Sequence, residues 1–522
     1  MSKNLALHVV VDSASTGKDA ALDTAHIGDI RGAFGTIAVN DTGSRIGWLA
    51  RLKTLLAIVG PGLIVMVGDN DAGAFGTYTQ AGQNYGTTLL WTLMLLIPVL
   101  YVNQEMVLRL GVVSGVGHAR LILERFGRFW GAFSVIDLFL VNALTIVTEF
   151  IGISLGLSFL GVPKIPGVIV AAVLIMVAVS TGNFRRFERF SMVLVFASLL
   201  LVPVFVMVHP PIGQVAHDFL VPAYPHGARL SDIMLLVIGI VGTTVAPWQL
   251  FFQQSYVIDK RITTRFIKYE RWDLILGIVL VIIGGVAMMA FAAHTFAGKP
   301  EFGNFADAGA VASGIAKYHG QLPAQLFAIA LIDACIIGAS AVSLSTAYAV
   351  GDVLSMNHSL HRKPKEAIGF YAVYFALIVI AAVLVLIPGT PLGLLTNAVQ
   401  TLAGVLLPSA SVFLLLLCND REVLGPWVNG RKLNILTALI VGILVMLSII
   451  LTSAVLFPDI SSNAIAAILV GGSITGVGVT IVVKLIRSRR DRVHGTLAAE
   501  IEHLADAAHW RMPPLNQLKP MN

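Results

Sequence analysis

Two carboxylates lie in the middle of an apolar segment, where charged side chains are rare. Residues 60–82 are long enough to cross a bilayer, but the centre of this segment reads GDNDAG (68–73), a run that interrupts a helix. A charge at the bilayer centre is costly, so each carboxylate must face a partner or a water-filled cavity. Carboxylate oxygens are hard ligands that suit divalent cations. Asp71 is therefore the leading candidate for a metal ligand, with Asp69 expected behind it or in the vestibule. The alternative for Asp71 is an ion pair with a buried basic residue.

A second apolar segment is interrupted in the same way. Residues 235–255 contain the run GTTVAP at 242–247. Pro247 has no N–H and frees backbone carbonyls near Thr243, which become candidate metal ligands, although a simple proline kink is the alternative. Unwound backbone at membrane depth is tolerated only where it is buried in protein or lines a cavity. Two interrupted helices at corresponding positions of two halves indicate the substrate site of a transporter.

Four further polar residues lie within apolar segments. Gln400 stands in the run TNAVQTLAGVLLPSA, where its amide could bind an ion or a bridging water, or only hydrogen-bond a neighbouring helix. Asn397, nearly one turn earlier, is a weaker candidate. Glu149 and Asp333 are intramembrane acids of the kind that proton relays use, and the alternative for both is a role in helix packing.

Long apolar runs and few charged residues predict an all-α polytopic membrane protein. The chain has 522 residues, of which 56% are hydrophobic and only 12% are charged, whereas a soluble domain has roughly 25% charged residues. The net charge of +6 comes from basic residues in short loops, so it does not indicate nucleic-acid binding. The two cysteines, Cys335 and Cys418, fit buried thiols. The sequence has no nucleophile–base arrangement and no phosphate-binding loop, so we expect neither an enzyme, nor a bound cofactor, nor an obligatory protein partner.

Twelve segments approach the length of about 20 apolar residues that a spanning helix needs. We number them as spans 1–12, at residues 54–83, 87–112, 129–160, 165–181, 190–209, 231–257, 273–295, 322–352, 367–388, 391–417, 433–457 and 463–485. Loops after even-numbered spans are rich in Lys and Arg, and loops after odd-numbered spans contain almost none. Because cytoplasmic loops are enriched in these residues, we expect both termini in the cytoplasm.

Five spans form each half of a predicted repeat. Because five is odd, the repeats at residues 54–209 and 231–417 have opposite topology, which makes the interrupted spans 1 and 6 face each other at the midplane. Spans 11 and 12, at 433–485, lie outside the repeat. Residues 1–45 and 487–522 are expected to be cytoplasmic tails, the first of them disordered.

The motifs around these breaks resemble those of the Nramp (natural resistance-associated macrophage protein) family of proton-coupled transition-metal transporters. The matching runs are GPG at 60–62, DAGA at 71–74 where the family has Asp-Pro-Gly-Asn, RLGVVSG at 109–115, TEFIG at 148–152, the span 6 break, ASAVSLSTAYAVGDVL at 339–354 and QTLAGVLLP at 400–408. The resemblance covers roughly residues 55–417. It implies a leucine-transporter-like fold, a divalent metal ion as the substrate, and metal contacts at Asp71, Thr243 and Gln400.

Three positions around the implied metal depart from the family pattern. Ala246 replaces a methionine whose thioether contacts the metal, Ala74 replaces an asparagine ligand, and Trp248 replaces a histidine. A thioether is a soft ligand that favours transition metals, so its loss removes discrimination against Mg²⁺. The remaining oxygen ligands suit a partly hydrated Mg²⁺, which dehydrates reluctantly.

These departures make import of Mg²⁺ without proton coupling the leading hypothesis, with Mn²⁺ tolerated. Ile146 replaces one of two acidic residues of the family's span 3, and neither Ile146 nor Trp248 can carry a proton. The pattern is similar to that of the Nramp-related magnesium transporters. The alternatives are a proton-coupled Mn²⁺ or Fe²⁺ importer and a sodium-coupled transporter of organic solutes. We expect a multi-pass protein in the lipid bilayer of the plasma membrane.

Overall fold

The fold is built almost entirely of helices, and the computed structural model describes most of the chain. The described residues are 23–225, 227–388, 399, 402, 408–457, 463, 464, 467–472, 510–518 and 520. In chain order the helices are α1 (Trp48–Ile58), α2 (Pro61–Val67), α3 (Ala72–Tyr85), α4 (Trp91–Ser114), α5 (His118–Phe126), α6 (Arg128–Phe159), α7 (Lys164–Val179), α8 (Phe184–Ala197), α9 (Leu201–Val208), α10 (Ile212–Leu220), α11 (Leu230–Thr244), α12 (Pro247–Asp259), α13 (Ile267–Phe296), α14 (Ala308–His319), α15 (Gln321–Val353), α16 (Ile368–Leu386), α17 (Pro408–Leu417), α18 (Arg421–Leu424) and α19 (Arg431–Leu456). Two short strands, β1 (Ile30–Arg31) and β2 (Thr36–Ile37), pair in antiparallel register.

The helices have the dimensions of a multi-pass membrane protein. Eight helical stretches of the described residues are long and apolar enough to cross a membrane, or nine if the bent pair α1 and α2 counts as one span. Helices α7 and α17 are apolar but shorter. Most of predicted spans 10 and 12 lies outside the described residues. The polytopic helical prediction is confirmed, whereas the count of about twelve spans is not confirmed by the part of the chain that the structure describes.

Span 1 is more divided than the sequence predicts. Helices α1 and α2 meet at 55°, because Gly60 separates them with φ of 155° and Pro61 takes the first position of α2. A Cβ at residue 60 would lie 2.3 Å from Glu188 Oε1, so only glycine fits this bend. The chain then continues as the half-helices α2 and α3, with an unwound turn at residues 68–71 between them. The predicted segment 54–83 thus combines the end of α1 with two half-helices.

Span 6 is broken where the proline predicts a break. Helix α11 ends at Thr244, Val245 and Ala246 leave the helical conformation, and Pro247 begins α12. Proline is well placed at the first position of a helix, since the N–H it lacks would have no partner there. The interruption therefore requires no distortion of α12 itself.

Long helices enclose both breaks. Helix α13 packs against α2, α3 and α4, and α15 packs against α6 and α12. The apolar side chains between these helices belong to one buried cluster, which includes Val65 of α2 and Phe75 of α3. The breaks therefore lie inside the protein rather than against lipid, as unwound backbone at membrane depth requires.

The segment that begins at Asp23 is folded onto the helices, so the prediction of disorder over residues 1–45 is wrong for residues 23–37. This segment contains a 3₁₀ turn and the β1–β2 hairpin, and Ile30 and Ile37 are buried in the main apolar cluster. Arginines from α8 and from the loop after α12 donate to its backbone carbonyls, namely Arg185 to Gly35, Arg189 to Ala33 and Arg261 to Ala25. These partners lie more than a hundred residues away in sequence, which is why local patterning does not reveal the hairpin. Residues 1–22 lie outside the described residues.

Candidate cation site

The unwound turn of span 1 places its two carboxylates in opposite electrostatic settings. Asp69 follows the C-terminus of α2, whose last carbonyls carry partial negative charge, whereas Asp71 is the N-cap of α3, where the helix dipole favours an anion. Asp71 Oδ1 accepts a hydrogen bond from the Ala74 N–H at 3.0 Å. Both aspartates are buried, Asp69 completely. Ala74, a predicted metal position, thus contributes a backbone donor that holds Asp71 in place.

A third carboxylate approaches the same helix terminus from span 3. Glu149 on α6 is fully buried, and its Oε2 accepts a hydrogen bond from the Ala72 N–H at 3.2 Å. Gly338 of α15 lies beside both acids, since a Cβ there would be 3.1 Å from Asp71 Cβ and 3.0 Å from Glu149 Cδ. The absence of a side chain at Gly338 therefore lets α15 close this side of the site. The structure brings Glu149 and Asp71 together, as the sequence alone could not show.

The break of span 6 leaves backbone and hydroxyl oxygens without hydrogen-bond donors in the part of the chain that the structure describes. In a continuous helix the N–H of residue 247 would pair with the carbonyl of Thr243, and Pro247 has no N–H. The buried Thr243 hydroxyl also makes no hydrogen bond among the described residues. By contrast, the Ala246 carbonyl accepts a hydrogen bond from the Gln249 N–H at 3.2 Å. Thr243 therefore fits the ligand role better than Ala246, whose methyl offers a cation nothing.

Hydrogen bonds connect the two breaks directly. Gln249, in the first turn of α12, donates its side-chain amide both to Asp69 Oδ1 and to the Thr244 carbonyl, the latter at 3.3 Å. Gln104 of α4 donates to Gln249 Oε1 at 2.9 Å. The Tyr78 hydroxyl of α3 lies 2.6 Å from Thr244 Oγ1. Among the described side-chain contacts, Asp69 is the acid that reaches span 6, and Asp71 faces spans 3 and 8.

Of the other predicted site residues, the structure describes Trp248 and Asp333 but not Gln400 and Asn397. Trp248 is buried against the span 1 break, with ring atom Cη2 at 3.6 Å from the position that a Cβ on Gly68 would take. Asp333 on α15 is also buried, and its Oδ2 makes no hydrogen bond among the described residues. Gln400 and Asn397 lie outside the described residues, so their roles stay predictions.

The sequence did not indicate the amides that join the two breaks, or that the buried thiol of Cys335 packs beside span 3. Gln249 directly follows Pro247 and Trp248, and Gln104 stands in the polar run NQE of span 2 at 103–105, so amides near the breaks were available as signals. Cys335 of α15 packs close to α6, because a Cβ on Gly152 would lie 2.3 Å from its Sγ. That contact depends on tertiary packing, and no local pattern indicates it.

The site is not a closed cage of strong ligands. Among the residues that the structure describes, no three His, Cys, Asp or Glu side chains are grouped so that they could hold a metal ion. A cation at the breaks would therefore be held by one or two carboxylates with carbonyl, hydroxyl and water oxygens. Such a ligand set is typical of weakly held, partly hydrated divalent ions, and a transported ion must be able to leave.

Comparisons with known proteins match most of the chain to one family. The family described as "Natural resistance-associated macrophage protein-like" matches residues 62–454. A "Divalent metal cation transporter MntH" from Ralstonia nicotianae is 30% identical over 396 residues, which cover 73% of this chain and 86% of that relative. The protein of the same name from Deinococcus radiodurans is 28% identical over 413 residues, covering 76% of this chain and 89% of that relative.

A solved structure shares the fold. The crystal structure of a mutant of the Eremococcus coleocola manganese transporter superposes with a TM-score of 0.65 at 21% identity, covering 88% of this chain and 98% of the other. At this identity the likeness establishes the fold, which is the leucine-transporter-like arrangement with broken helices 1 and 6 that the motifs imply.

Proposed function

Because the chain belongs to the natural resistance-associated macrophage protein family, and is therefore a membrane transporter of divalent metal cations, we propose that it imports Mn²⁺ by alternating access. The observation that carries the proposal is the direct link between the two breaks, where Gln249 joins Asp69 of span 1 to the Thr244 carbonyl of span 6. Buried carboxylates at the meeting point of two broken helices form a site for a positive ion at the midplane. The name of the solved structure, a manganese transporter, supplies the ion, and the relatives named as divalent metal cation transporters argue against an enzyme.

The proposal reverses the order of the hypotheses drawn from the sequence. The sequence favours uncoupled Mg²⁺ import over a proton-coupled Mn²⁺ or Fe²⁺ importer, whereas the relatives support the proton-coupled importer better. In this proposal Glu149 is the proton carrier, because its carboxyl group meets the same helix terminus as Asp71. The sodium-coupled solute transporter loses support, since buried acids at the break would repel a substrate carboxylate.

Magnesium is a second candidate, and the chemistry of the site favours it. Ala246 presents a methyl group where a soft sulfur ligand would select transition metals. The donors that the structure offers at the breaks, on Asp69, Asp71 and Thr243, are all hard oxygens. In this second candidate no proton is moved, and the membrane potential alone drives entry. Two charges crossing 100 mV gain about 4.6 kcal/mol.

The proposed location is the plasma membrane, with both termini in the cytoplasm. The support is the alternation of basic loops along the sequence, because cytoplasmic loops are rich in Lys and Arg. Five arginines that anchor or approach residues 23–43, namely Arg185, Arg189, Arg261, Arg265 and Arg362, belong to loops or helix ends on this predicted cytoplasmic side. The folded N-terminal segment therefore lies on the same side as these basic loops.

An ion-competition experiment distinguishes the two candidates. In proteoliposomes with a pH-sensitive dye, we expect Mn²⁺ uptake to persist in a large excess of Mg²⁺ and to move protons in step with the metal. Uptake that Mg²⁺ suppresses in proportion to its concentration, without a dye response, would select the magnesium candidate instead. If neither ion enters faster than it enters protein-free liposomes, the proposed function is wrong.

Ala246→Met tests the selectivity argument at one position. A thioether at the break should favour Mn²⁺ and Cd²⁺ over Mg²⁺, because soft ligands prefer transition metals. We expect the ratio of Mg²⁺ to Mn²⁺ uptake to fall by about tenfold, which corresponds to about 1.4 kcal/mol. Leu235→Met, on the exposed side of α11, is the matched control and should leave the ratio unchanged. Equal ratios in both variants would show that residue 246 does not contact the ion.

A further inference from the structure

Among the carboxylates at the break of span 1, Asp69 is the one whose negative charge the protein stabilises least. Its side chain is completely buried, Oδ1 accepts one hydrogen bond from the neutral amide of Gln249, and Oδ2 makes none among the described residues. Asp71 and Glu149 both accept backbone N–H groups at the start of α3, where the helix dipole stabilises anions. Asp69 follows the end of α2, where the same effect is unfavourable. A buried charge in such a position needs a cation or a proton.

No cationic side chain meets this need within the described residues. The ion pairs of the described residues include buried ones, such as Glu188 with Lys260 and Glu105 with Arg109, but none involves Asp69. The side chain that does reach Asp69, the Gln249 amide, is neutral, and two further polar atoms near the breaks make no hydrogen bond among the described residues, namely the Thr243 hydroxyl and Gln104 Oε1. Unpaired buried polar groups are rare in native proteins and call for an explanation.

The side chain of Asp69 is also the one that points across to span 6. Gln249 holds Asp69 Oδ1 with the same amide that bonds the Thr244 carbonyl, so the carboxylate lies next to the end of α11. The adjacent residue Thr243 supplies the carbonyl that Pro247 leaves without a donor. Asp69 of span 1 and the Thr244 carbonyl at the end of α11 therefore share one amide donor, and Asp71 lies two residues further along the same unwound turn.

We propose that Asp69 is a second ion-binding carboxylate of the transport site. This inference rests on the proposed function, since it assigns a ligand for the same divalent cation. Together Asp69 and Asp71 supply two negative charges, which balance one divalent ion without a further charge. On binding, the ion or one of its waters becomes the missing partner of Asp69 Oδ2. Magnesium-like ions are commonly held by one or two carboxylates while they keep several waters.

Asp69→Asn in the full-length protein tests the assignment with little change of shape. Asparagine keeps an oxygen that can accept from Gln249, and it removes only the charge. We expect the Kd for MnCl₂, measured by isothermal titration in detergent, to rise roughly 10–100-fold, and the KM for Mn²⁺ uptake in proteoliposomes to rise with it. The melting temperature without metal should not fall, because an uncompensated buried charge has been removed.

Asn70→Ala is the control from the same turn. The Asn70 amide donates to the Val281 carbonyl of α13 at 3.3 Å, away from span 6, so its loss should leave the Kd for Mn²⁺ within about twofold, a change of under 1 kcal/mol. An unchanged Kd in Asp69→Asn, together with a lower melting temperature, would assign Asp69 a purely structural role and overturn this inference. If that result accompanies loss of uptake in Asp71→Ala, the proposed function survives, whereas absence of Mn²⁺ binding by the unaltered protein overturns both.

Discussion

Asp71→Ala should reduce Mn²⁺ uptake by proteoliposomes to the background of protein-free vesicles. Asp71 is buried at the break of span 1, and without its carboxylate a doubly charged ion at the midplane loses half of its nearby compensating charge. Uncompensated charge at this depth costs about 3 kcal/mol even by the mildest scales, which corresponds to at least about a 100-fold loss of binding. The same loss should appear whether Mn²⁺ or Mg²⁺ is supplied, because both candidates need this carboxylate.

The effect of Asp71 as the N-cap of α3 must be distinguished from the effect of its negative charge on the ion. Substituting an aspartate N-cap by alanine costs about 1 kcal/mol of stability, because the Ala74 N–H loses its acceptor. Asp71→Asn keeps a good cap and removes only the charge, and it should also abolish uptake. Asp307→Ala removes an equivalent cap, which bonds the Ala310 N–H at 2.8 Å outside the core of the protein, and it should leave uptake intact. Normal uptake by Asp71→Asn would show that the residue serves the helix and not the ion.

Lys260→Ala should destabilise the folded protein by about 3–5 kcal/mol, the usual effect of breaking a buried ion pair. Lys260 and Glu188 are both fully buried, and Nζ lies 2.5 Å from Glu188 Oε1. The same ammonium donates to the Ile58 and Val59 carbonyls at the end of α1, the latter at 2.9 Å. These carbonyls have no helical donor after them, since α1 ends there. Thermal unfolding in detergent should show a large drop in the transition temperature.

Two further variants isolate the buried charge as the cause of that drop. Lys317→Ala breaks an exposed ion pair with Glu301 and should barely move the transition temperature, because solvent screens such pairs. The double variant Glu188→Ala/Lys260→Ala should be less destabilised than the sum of the two single variants, since it leaves no buried charge unpaired. Strictly additive effects would indicate that packing, rather than electrostatics, explains the loss.

Much of the architecture follows from local sequence, because apolar length and backbone-breaking residues act locally. Runs of about 20 apolar residues predict spanning helices, and α4, α6, α11–α13, α15, α16 and α19 lie where the corresponding spans were expected. Pro247 predicts the break of span 6, and the run GDNDAG predicts that of span 1. The bend at Gly60 was missed, because the sequence does not show that Gly60 adopts a φ of 155° between α1 and α2.

The N-terminal hairpin shows a second limit of local reasoning. Residues 23–37 have little periodicity, and they are held by distant arginines and by burial of Ile30 and Ile37. Contacts between residues so far apart in sequence leave no local pattern to detect. Disorder was predicted only because the segment lacks hydrophobic periodicity, but long-range contacts fold it nevertheless.

The residue types alone predict that charge and unwound backbone coincide in the interior of a membrane protein, because Asp71, Asp69 and Pro247 act through their own chemistry. The direction in which each carboxylate points depends on tertiary contacts. In an unwound turn no helical periodicity directs the side chains, so their directions depend on which neighbours offer donors. Here Gln249 turns Asp69 toward span 6, and the start of α3 turns Asp71 and Glu149 toward each other. The chemistry of the site thus follows from the types of single residues, and its geometry depends on contacts between helices that are distant in the chain.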